Sequence, residues 1–387
     1  MLLDADYATG YLENRLCPRR KPRYRVVVRT DSELHWSSYF FCGLYQLLNE
    51  RLLSVRFKPR LSLSPTEVFA TAVEVTDDEL QRTKKLVFDW RDNADLLCLR
   101  KLADCDMYFK RNLIPDVTYP ACPAEYRTKL RPAGLSFAVR TIRERPLWAQ
   151  MIGGLCCREE PLFSSSPSAS LRRLYKSIRG PVNVRSFLQI DEFEKQASVA
   201  DDRILYQARA YDADESTRPG DTREVTQSRA DIIRRLKAEL PQHFCGGFTR
   251  TPYTERHFAD YVSAESSFDQ SAYCTLARSC SICIYTRGLR DSPGFKLGEY
   301  LAGGKCIIAE RIATVLPTPL IHGTHLLYFD TVEGLLEQCR AVLANHDLRD
   351  GLSRGALAYY RSEVAPRRRV LSMLAEAFKD EIPAASA

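Results

Sequence analysis

Short apolar segments alternate with amphipathic helical patterns along this chain, and that alternation constrains the fold more than any other feature. The first apolar segment is Tyr24–Val28, and apolar residues then recur at three- and four-residue spacing between Phe40 and Leu52. An apolar run followed by this spacing predicts a strand and then a helix. Strand–helix units repeated in this way are typical of α/β domains, whose helices cover the faces of a largely parallel sheet.

The first series of units occupies the amino-terminal part of the chain and predicts a doubly wound parallel sheet. The further strands predicted in it are Val68–Val75, Leu86–Trp90, Asp106–Phe109 and Leu135–Val139. The periodicity stops at Arg158–Ser168, whose composition is typical of a loop or linker. A basic helix is predicted after it at Leu171–Ile178.

A second series of units begins with the segment Arg203–Arg209. Its further predicted strands are His243–Phe248, Ser281–Tyr285, Cys306–Ala309 and Leu326–Phe329. Its predicted helices are Ser228–Leu240, Gln270–Arg278, Phe295–Leu301, Val332–Leu343, Leu348–Val364 and Arg369–Lys379. Two facing domains of this kind predict a ligand cleft between them, at the carboxyl ends of the strands.

Length and composition fit two or three soluble domains, at roughly 100–200 residues each. The 387 residues are 45% apolar and 27% charged, which excludes a collagen-like or wholly disordered chain. Lys and Arg number 56 and Asp and Glu 49, so the net charge is +7. That surplus does not predict a nucleic-acid partner, but it fits a phosphate-bearing ligand or an anionic membrane surface. Neither a signal peptide nor a transmembrane helix is predicted.

The chain has 13 cysteines, an odd number with irregular spacing, which does not match a secreted disulfide scaffold. They predict reduced, buried thiols in a cytosolic protein. Cys280 and Cys283 are the one close pair with metal-ligand spacing. Because Cys283 falls inside a predicted strand and no second pair follows, we predict no metal site there.

The stretch 287–310 carries the clearest functional signal. A loop with Gly and Pro leads into a predicted helix, a glycine turn and a strand. Ser292–Gly294 opens the helix, and the N–H groups and positive dipole end at a helix start predict an anion site. Asp291 and Glu299 lie near it, and carboxylates are poor phosphate ligands but good acceptors for sugar or ribose hydroxyls.

This stretch resembles the donor-binding motif of the retaining GT-B glycosyltransferases of the family four type, the glycosyl transferases group 1. In that family an acid, seven residues and a second acid lead into a segment of the form E-(A/Y)-(M/L)-A-x-G-K. Here Asp291 and Glu299 have that spacing, and Tyr300–Lys305 continues the match. The family's first acid is usually Glu, whereas Asp291 is one methylene shorter.

The resemblance implies a role for each of these residues. Glu299 would hold the ribose of a nucleotide-sugar donor. Asp291 and the backbone amides of Ser292, Gly294 and Phe295 would face the donor sugar and its diphosphate. The alternative for the two acids is an ordinary role, on the helix surface for one and in a loop turn for the other.

The resemblance also implies cations for the diphosphate. Lys296 stands where part of the family has a Lys, and Arg209 ends the first strand of the second series, where the family carries an Arg. Arg218 would replace a second family Lys on a longer loop. Gly323–Phe329 resembles the turn and strand after the family's donor helix, and Asp106–Arg111 resembles a strand end of some bacterial sugar transferases.

The candidates in the first series stay open between an acceptor contact and a structural role. They are His35 and Trp36, on the loop predicted after the first strand, and Lys110 and Arg111, at a predicted strand end. An inverting enzyme would need a general base from this domain, for which the candidates are His35, Asp31 and Glu33.

The sequence thus predicts two Rossmann-like α/β domains facing a central cleft, the GT-B fold, with a carboxyl-terminal helix crossing back. Residues 1–200 would form the acceptor-binding domain, 201–365 the donor-binding domain and 366–387 the crossover helix and tail. The predicted activity is hexosyl or deoxyhexosyl transfer from a nucleotide sugar to an acceptor hydroxyl, with retention and without metal or cofactor, in glycan or glycoconjugate biosynthesis. The alternatives are an inverting transferase, a nucleotide-sugar epimerase, and a non-catalytic module that binds a sugar nucleotide or a partner.

The acceptor stays open among glycans, lipid-linked molecules, proteins and small molecules. The basic clusters Arg19–Arg23 and Arg367–Arg369 are predicted to be solvated faces, with weak docking to an anionic membrane as the alternative. The predicted location is cytoplasmic, with a peripheral position at the inner membrane face as the alternative.

Overall fold

Two β-sheets, each formed by one part of the chain, organise the protein. The computed structural model describes residues 21–29, 34–58, 69–140, 187–196, 201–214, 216–263 and 269–379. The linker predicted at 158–168 and the helix predicted at 171–178 lie outside the described residues.

The first sheet has six strands in the order β2-β1-β3-β4-β5-β6. The strands are β1 (Tyr24–Arg29), β2 (Leu53–Lys58), β3 (Ala70–Asp77), β4 (Arg82–Asp89), β5 (Met107–Lys110) and β6 (Leu130–Pro132). The helices among them are α1 (Leu34–Asn49), α2 (Leu99–Asp104) and α3 (Pro115–Ala121), followed by a 3₁₀ turn at Ala124–Lys129.

The first sheet is mixed, which corrects the parallel sheet predicted here. β3 runs antiparallel to both β1 and β4. The connection Asp78–Gln81 between β3 and β4 is a tight turn, whereas parallel neighbours need a crossover of about a dozen residues or more. The strand predicted at Leu135–Val139 was also wrong, because this buried segment pairs with no strand among the residues that the structure describes.

The second sheet is parallel throughout, as predicted, with the strand order β11-β10-β9-β7-β8. Its strands are β7 (Asp201–Ala208), β8 (Phe244–Phe248), β9 (Cys280–Tyr285), β10 (Cys306–Glu310) and β11 (Leu327–Phe329). A short helix α4 (Ile190–Glu194) precedes it, and the helices that follow are α5 (Pro219–Glu239), α6 (Pro252–His257), α7 (Gln270–Ser279), α8 (Phe295–Ala302), α9 (Val332–Ala344) and α10 (His346–Tyr359). The central strands are buried on both faces, which is why they read as unbroken apolar runs.

The last helix, α11 (Pro366–Glu376), leaves the second domain and packs on the first. Val370 and Leu374 are part of the same apolar core as β1 and α1. Gly43 of α1 permits this approach, because a Cβ there would overlap the carbonyl oxygen of Pro366. The crossover helix is therefore confirmed, and with it the two-domain GT-B arrangement.

The basic cluster Arg367–Arg369 is largely bound within the protein, which corrects its interpretation as a solvated face. Arg367 makes a bidentate ion pair with Glu50, with both N–O distances 2.6 Å. Arg369 is buried and donates to the carbonyl of Ala133 at 2.8 Å. Arg368 alone of the three is exposed, so the cluster fastens α11 rather than forming a cationic patch.

Ten cysteines fall within the described ranges, and all ten are buried, as expected of thiols that pack as small apolar groups. Across the same ranges, no helix has both the length and the hydropathy needed to cross a membrane.

Candidate functional site

A cavity of about 580 Å³ lies between the two domains, where β7 and β9 end. Carboxyl ends of parallel strands are where α/β sheets place their ligands. The residues that line it include Trp36, Asp92, Arg111, Ala138 and Phe187 from the first domain, and Arg209, Tyr211, Arg229, Asp269, Gln270, Tyr273, Ser292, Gly294, Phe295, Lys296 and Glu299 from the second.

The loop before α8 is held by its own hydrogen bonds. The Ser292 amide donates to the Leu289 carbonyl at 3.2 Å. The Gly294 amide donates to the Tyr285 hydroxyl at 2.8 Å. Ser292 and Gly294 line the cavity, but both of their amides already have partners within the protein. The positive end of the α8 dipole therefore faces the cavity from Phe295 onward.

Arg111 of the first domain binds the loop that leads into α8. Its guanidinium donates to the Pro293 carbonyl and to the Asp92 carboxylate. Its Cζ lies 5.3 Å from the Trp36 ring centre and 5.2 Å from that of Phe295. Since Arg111 is only 2% exposed, this cation fixes the loop to the first domain instead of facing the cavity as an open charge.

The helix α8 also meets the first domain along its side. A Cβ at Gly298 would lie 2.7 Å from a ring carbon of Phe137. Glycine at this position therefore lets α8 approach the segment that follows β6. The approach carries Lys296, two residues before Gly298, and Glu299, the residue after it, up to the domain boundary.

Lys296 occupies the floor of the cavity. Its ammonium group donates to the Gln207 carbonyl, at the end of β7, and lies 4.7 Å from the Tyr273 ring centre. Burial, opposed by the Glu299 carboxylate and reinforced by Arg229, lowers the pKa of Lys296 to about 7. The amine is poised to take up a proton when negative charge arrives.

Glu299 lies three residues further along α8, on the same helix face. Burial raises the pKa of its carboxyl group to about 7, opposed by Lys296 and by a hydrogen bond from Gln270. The Gln270 carboxamide is itself fixed, because it accepts from the Leu188 amide at 2.7 Å and donates to the Ala138 carbonyl at 2.9 Å. Glu299 is thus oriented by a side chain that touches both domains.

Arg229 is a site residue that the sequence analysis missed. It lies on α5, is 7% exposed, and donates to the carbonyls of Arg209 at 2.8 Å and Arg287 at 2.7 Å. Its Nε has no partner among the described residues. A signal was present, because Arg229 falls on the apolar stripe of α5 between Val225 and Ile232.

Other predicted site residues lie elsewhere. Asp291 does not line the cavity: its side chain is 52% exposed and pairs with Arg287 at 3.2 Å. Asp291 has a left-handed φ of 54°, so its side chain does not follow the direction that an extended loop would give it. Arg218 forms an ion pair with Asp95 at 2.6 Å and is likewise outside the lining.

The first-domain candidates separate into three outcomes. His35 belongs to the first turn of α1, not to the loop predicted there, and its side chain lies outside the described residues, as do Asp31 and Glu33. Trp36 and Arg111 line the cavity. Lys110 is fully buried and donates to Asp89 at 3.0 Å, so its role is structural.

The cavity has a surplus of positive charge on its second-domain side. Arg209, Arg229 and Lys296 are the three cations there, and Asp269 and Glu299 are the two acids. Such a set suits a ligand that carries a multiply charged anion next to hydroxyl groups, because cations and a helix N-terminus attract the anion while a carboxylate accepts from hydroxyls.

Comparison with known proteins gives one family match. Residues 223–375, which include Arg229, Lys296 and Glu299, match the family described as glycosyl transferase-like. The match covers most of the second domain. No curated protein matches the sequence.

Solved structures of low identity are also similar. A glycosyltransferase from Rickettsia africae has 12% identity and a TM-score of 0.38, over 92% of this chain and 98% of that chain. Anabaena HepE in complex with UDP and glucose has 8% identity and a TM-score of 0.37, over 86% of this chain and 88% of that chain. The fold assignment rests on the two sheets and the crossover helix themselves.

Proposed function

We propose that this protein is a glycosyltransferase that moves a sugar from a nucleoside diphosphate sugar to an acceptor hydroxyl. The observation that carries the proposal is the convergence of Arg209, Arg229, Lys296 and Glu299 on one cavity at the positive end of α8. A nucleoside diphosphate sugar has the matching parts, a diphosphate flanked by ribose and sugar hydroxyls.

In the proposed complex, Glu299 accepts hydrogen bonds from the ribose hydroxyls. Its carboxylate lies at the cavity and is oriented by Gln270, so little side-chain entropy is lost when the donor binds. Lys296, Arg209 and Arg229 surround the diphosphate. The arrival of two negative charges favours the protonated form of Lys296, whose pKa in the free protein is about 7.

The chemistry follows from that charge distribution. The bond between the anomeric carbon and the diphosphate oxygen breaks, and its electron pair leaves with the nucleoside diphosphate. The acceptor oxygen forms the new bond to the same carbon, and its proton passes to the departing phosphate oxygen. The cations and the α8 dipole are already in place for the charge that develops on the leaving group, which is the largest contribution that such a site makes.

Two finer features belong to the proposal. Three cations suffice to balance the diphosphate charge, so the reaction as proposed requires no metal. Retention of the anomeric configuration is proposed from the resemblance of the 291–305 motif alone. A sugar contact by Asp291 would require its carboxylate to leave Arg287, with which it now pairs.

A panel of nucleoside diphosphate sugars, scored by thermal shift and then by donor hydrolysis, tests the proposal. We expect at least one donor to raise the melting temperature of the wild type, and the Glu299→Gln variant to lose most of that shift. Glu255→Gln, the same change at an exposed ion pair with Arg250, is the control and should respond like the wild type. Absence of any shift across the panel would reject the donor site.

A further inference from the structure

The first-domain side of the cavity combines a neutral ion pair with an aromatic ring, unlike the second-domain side with its cations. Among the described residues, Trp36, Asp92, Arg111, Ala138 and Phe187 form this first-domain wall. Under the proposed function, an acceptor must approach from this side, because the cations and Glu299 occupy the other. The side chains of the wall therefore bear on what the acceptor is.

The polar part of the wall is an ion pair without net charge. Arg111 makes three polar contacts through its guanidinium. Its Nη1 donates to Asp92 Oδ1 and its Nη2 donates to the Pro293 carbonyl. Its Nε donates to the Ser136 hydroxyl oxygen at 3.2 Å. Asp92 is held in turn by its backbone carbonyl, which accepts from Asn112 Nδ2 at 2.6 Å. The Asp92 side chain stays 32% exposed, so its carboxylate reaches the cavity.

The indole of Trp36 is the largest apolar group of the wall, beside Ala138 and Phe187. Its ring lies 5.2 Å from that of Phe295, in an edge-on arrangement at 61°, and the Arg111 guanidinium lies over one face of each ring. Trp36 is half-buried and lines the cavity. The contacts with Phe295 and Arg111 hold the indole in place, so that it offers a rigid surface to a flat apolar face of a ligand.

From this juxtaposition we infer that the first-domain wall is an acceptor subsite for a neutral saccharide, with Trp36 packing against a sugar ring and Asp92 accepting from its hydroxyls. A pyranose combines an apolar C–H face with closely spaced hydroxyl donors, and the wall offers one partner for each. The inference rests on the proposed function, since the subsite matters only if the second-domain side holds a donor.

Charge separates this acceptor from the other classes. An anionic acceptor, such as a sugar phosphate, would be repelled by the exposed Asp92 carboxylate. The wall has no net positive charge to offset this repulsion, because Arg111 already forms an ion pair with Asp92. A simple aliphatic alcohol would cover Trp36 but leave the Asp92–Arg111 pair desolvated without new hydrogen bonds. A neutral saccharide avoids both costs.

A binding experiment on the full chain tests the inference. The protein is first saturated with the nucleoside diphosphate that stabilises it most, and is then titrated with three probes: methyl glycosides of neutral hexoses with neutral disaccharides, hexose phosphates, and octanol. Saturation-transfer NMR reports binding and the ligand face in contact. We expect binding by at least one neutral saccharide, with the strongest transfer to ring C–H protons.

Variants of the wall make the test specific. Asp92→Asn keeps an acceptor for Arg111 but removes the charge, and we expect it to weaken saccharide binding about tenfold. Asp104→Asn, the same change at an exposed ion pair with Lys85, should bind as the wild type does. Trp36→Phe should reduce the transfer to ring protons. The melting temperature of each variant establishes that it is folded.

The outcomes also separate this inference from the proposed function. If no nucleoside diphosphate or nucleoside diphosphate sugar binds, the proposed function fails. If the nucleoside diphosphate binds but the protein takes up only hexose phosphates, only octanol or no probe, the neutral-saccharide subsite is overturned while the donor site stands. Equal saccharide affinity in Asp92→Asn and the wild type would also overturn it.

Discussion

Two charge clusters lie at the carboxyl ends of parallel strands, one in each domain, and they differ in burial and in how completely their charges are compensated. The closed cluster, in the first domain, consists of Asp89, Arg91, Tyr108 and Lys110. The open cluster, in the second, consists of Arg209, Arg229, Lys296 and Glu299. Both place cations beside a carboxylate at the end of a sheet.

In the closed cluster, every strong donor has an acceptor within the protein. Asp89 accepts from the Tyr108 hydroxyl at 2.6 Å, from Lys110 at 3.0 Å and from Arg91 at 2.9 and 3.0 Å. Burial alone would raise the pKa of Asp89, but Lys110 and Arg91 more than offset it and hold the pKa below its usual value. The charges of this cluster are therefore compensated by one another.

The open cluster lacks that completeness. Burial shifts the pKa of Lys296 and that of Glu299 towards the same value, about 7, and the two charges only partly compensate each other. Arg229 keeps an Nε without a partner among the described residues. Buried charge by itself therefore does not mark a site, whereas charge that is only partly compensated at a cavity does.

The largest effect is expected from breaking the closed cluster. Asp89→Ala would leave Arg91 and Lys110 buried without their counter-ion, and we expect the free energy of unfolding to fall by about 3–5 kcal/mol. Denaturant unfolding measures it. Asp104→Ala removes an exposed partner of Lys85 and should change stability little. Equal effects of the two variants would contradict the assignment of Asp89 as a structural centre.

In the open cluster, removing a cation should affect the donor more than the fold. We expect Arg229→Gln to weaken binding of a nucleoside diphosphate sugar roughly 10- to 100-fold, because a charge-assisted contact to phosphate is lost. Arg234→Gln, at an exposed position of the same helix, is the matched control. Calorimetric titration gives both affinities, and a donor affinity that Arg229→Gln leaves intact would remove Arg229 from the site.

The two pKa values near 7 predict a bell-shaped pH profile of donor affinity. Lys296 loses its proton as the pH rises above about 7, so affinity should fall there by up to about tenfold per pH unit. Glu299 gains a proton below about 7, which removes its charge and weakens the ribose contact on the acid side. Lys296→Arg should flatten the alkaline limb alone, and Glu299→Gln the acid limb alone. A flat wild-type profile between pH 5.5 and 8.5 would argue against both assignments.

A smaller and more selective effect is expected at Gln270. Its hydrogen bond lowers the pKa of Glu299, so Gln270→Ala should move the acid limb to higher pH and weaken donor binding about three- to fivefold at pH 6. Gln227→Ala, on the exposed face of α5, provides the comparison. An unshifted acid limb would mean that Gln270 does not act on Glu299.

Sequence patterns predicted the second domain better than the first, for a physical reason. The strands of the second sheet are buried on both faces and parallel, so each is a continuous apolar run. The first sheet contains the β3–β4 hairpin, whose direction depends on the short turn Asp78–Gln81 and not on apolar periodicity. Pairing direction is a property of two strands together, and the pattern of either strand alone does not contain it.

The candidate site was predictable where it follows one helix and not where it is assembled from several elements. Lys296 and Glu299 share a face of α8, and both line the cavity. Arg229 and Gln270 enter it from α5 and α7, a placement that only tertiary packing decides. Asp291 has the motif spacing, yet its left-handed backbone and its pairing with Arg287 keep it from the cavity lining.

Hydrogen–deuterium exchange with and without a bound nucleoside diphosphate sugar tests most directly that the open cluster, and not the closed one, is the ligand site. We predict slower exchange in peptides covering 285–302 and 203–212, with no change in peptides covering 82–91 and 107–110. Protection of the closed-cluster peptides, or unchanged exchange at 285–302 under saturating donor, would contradict it.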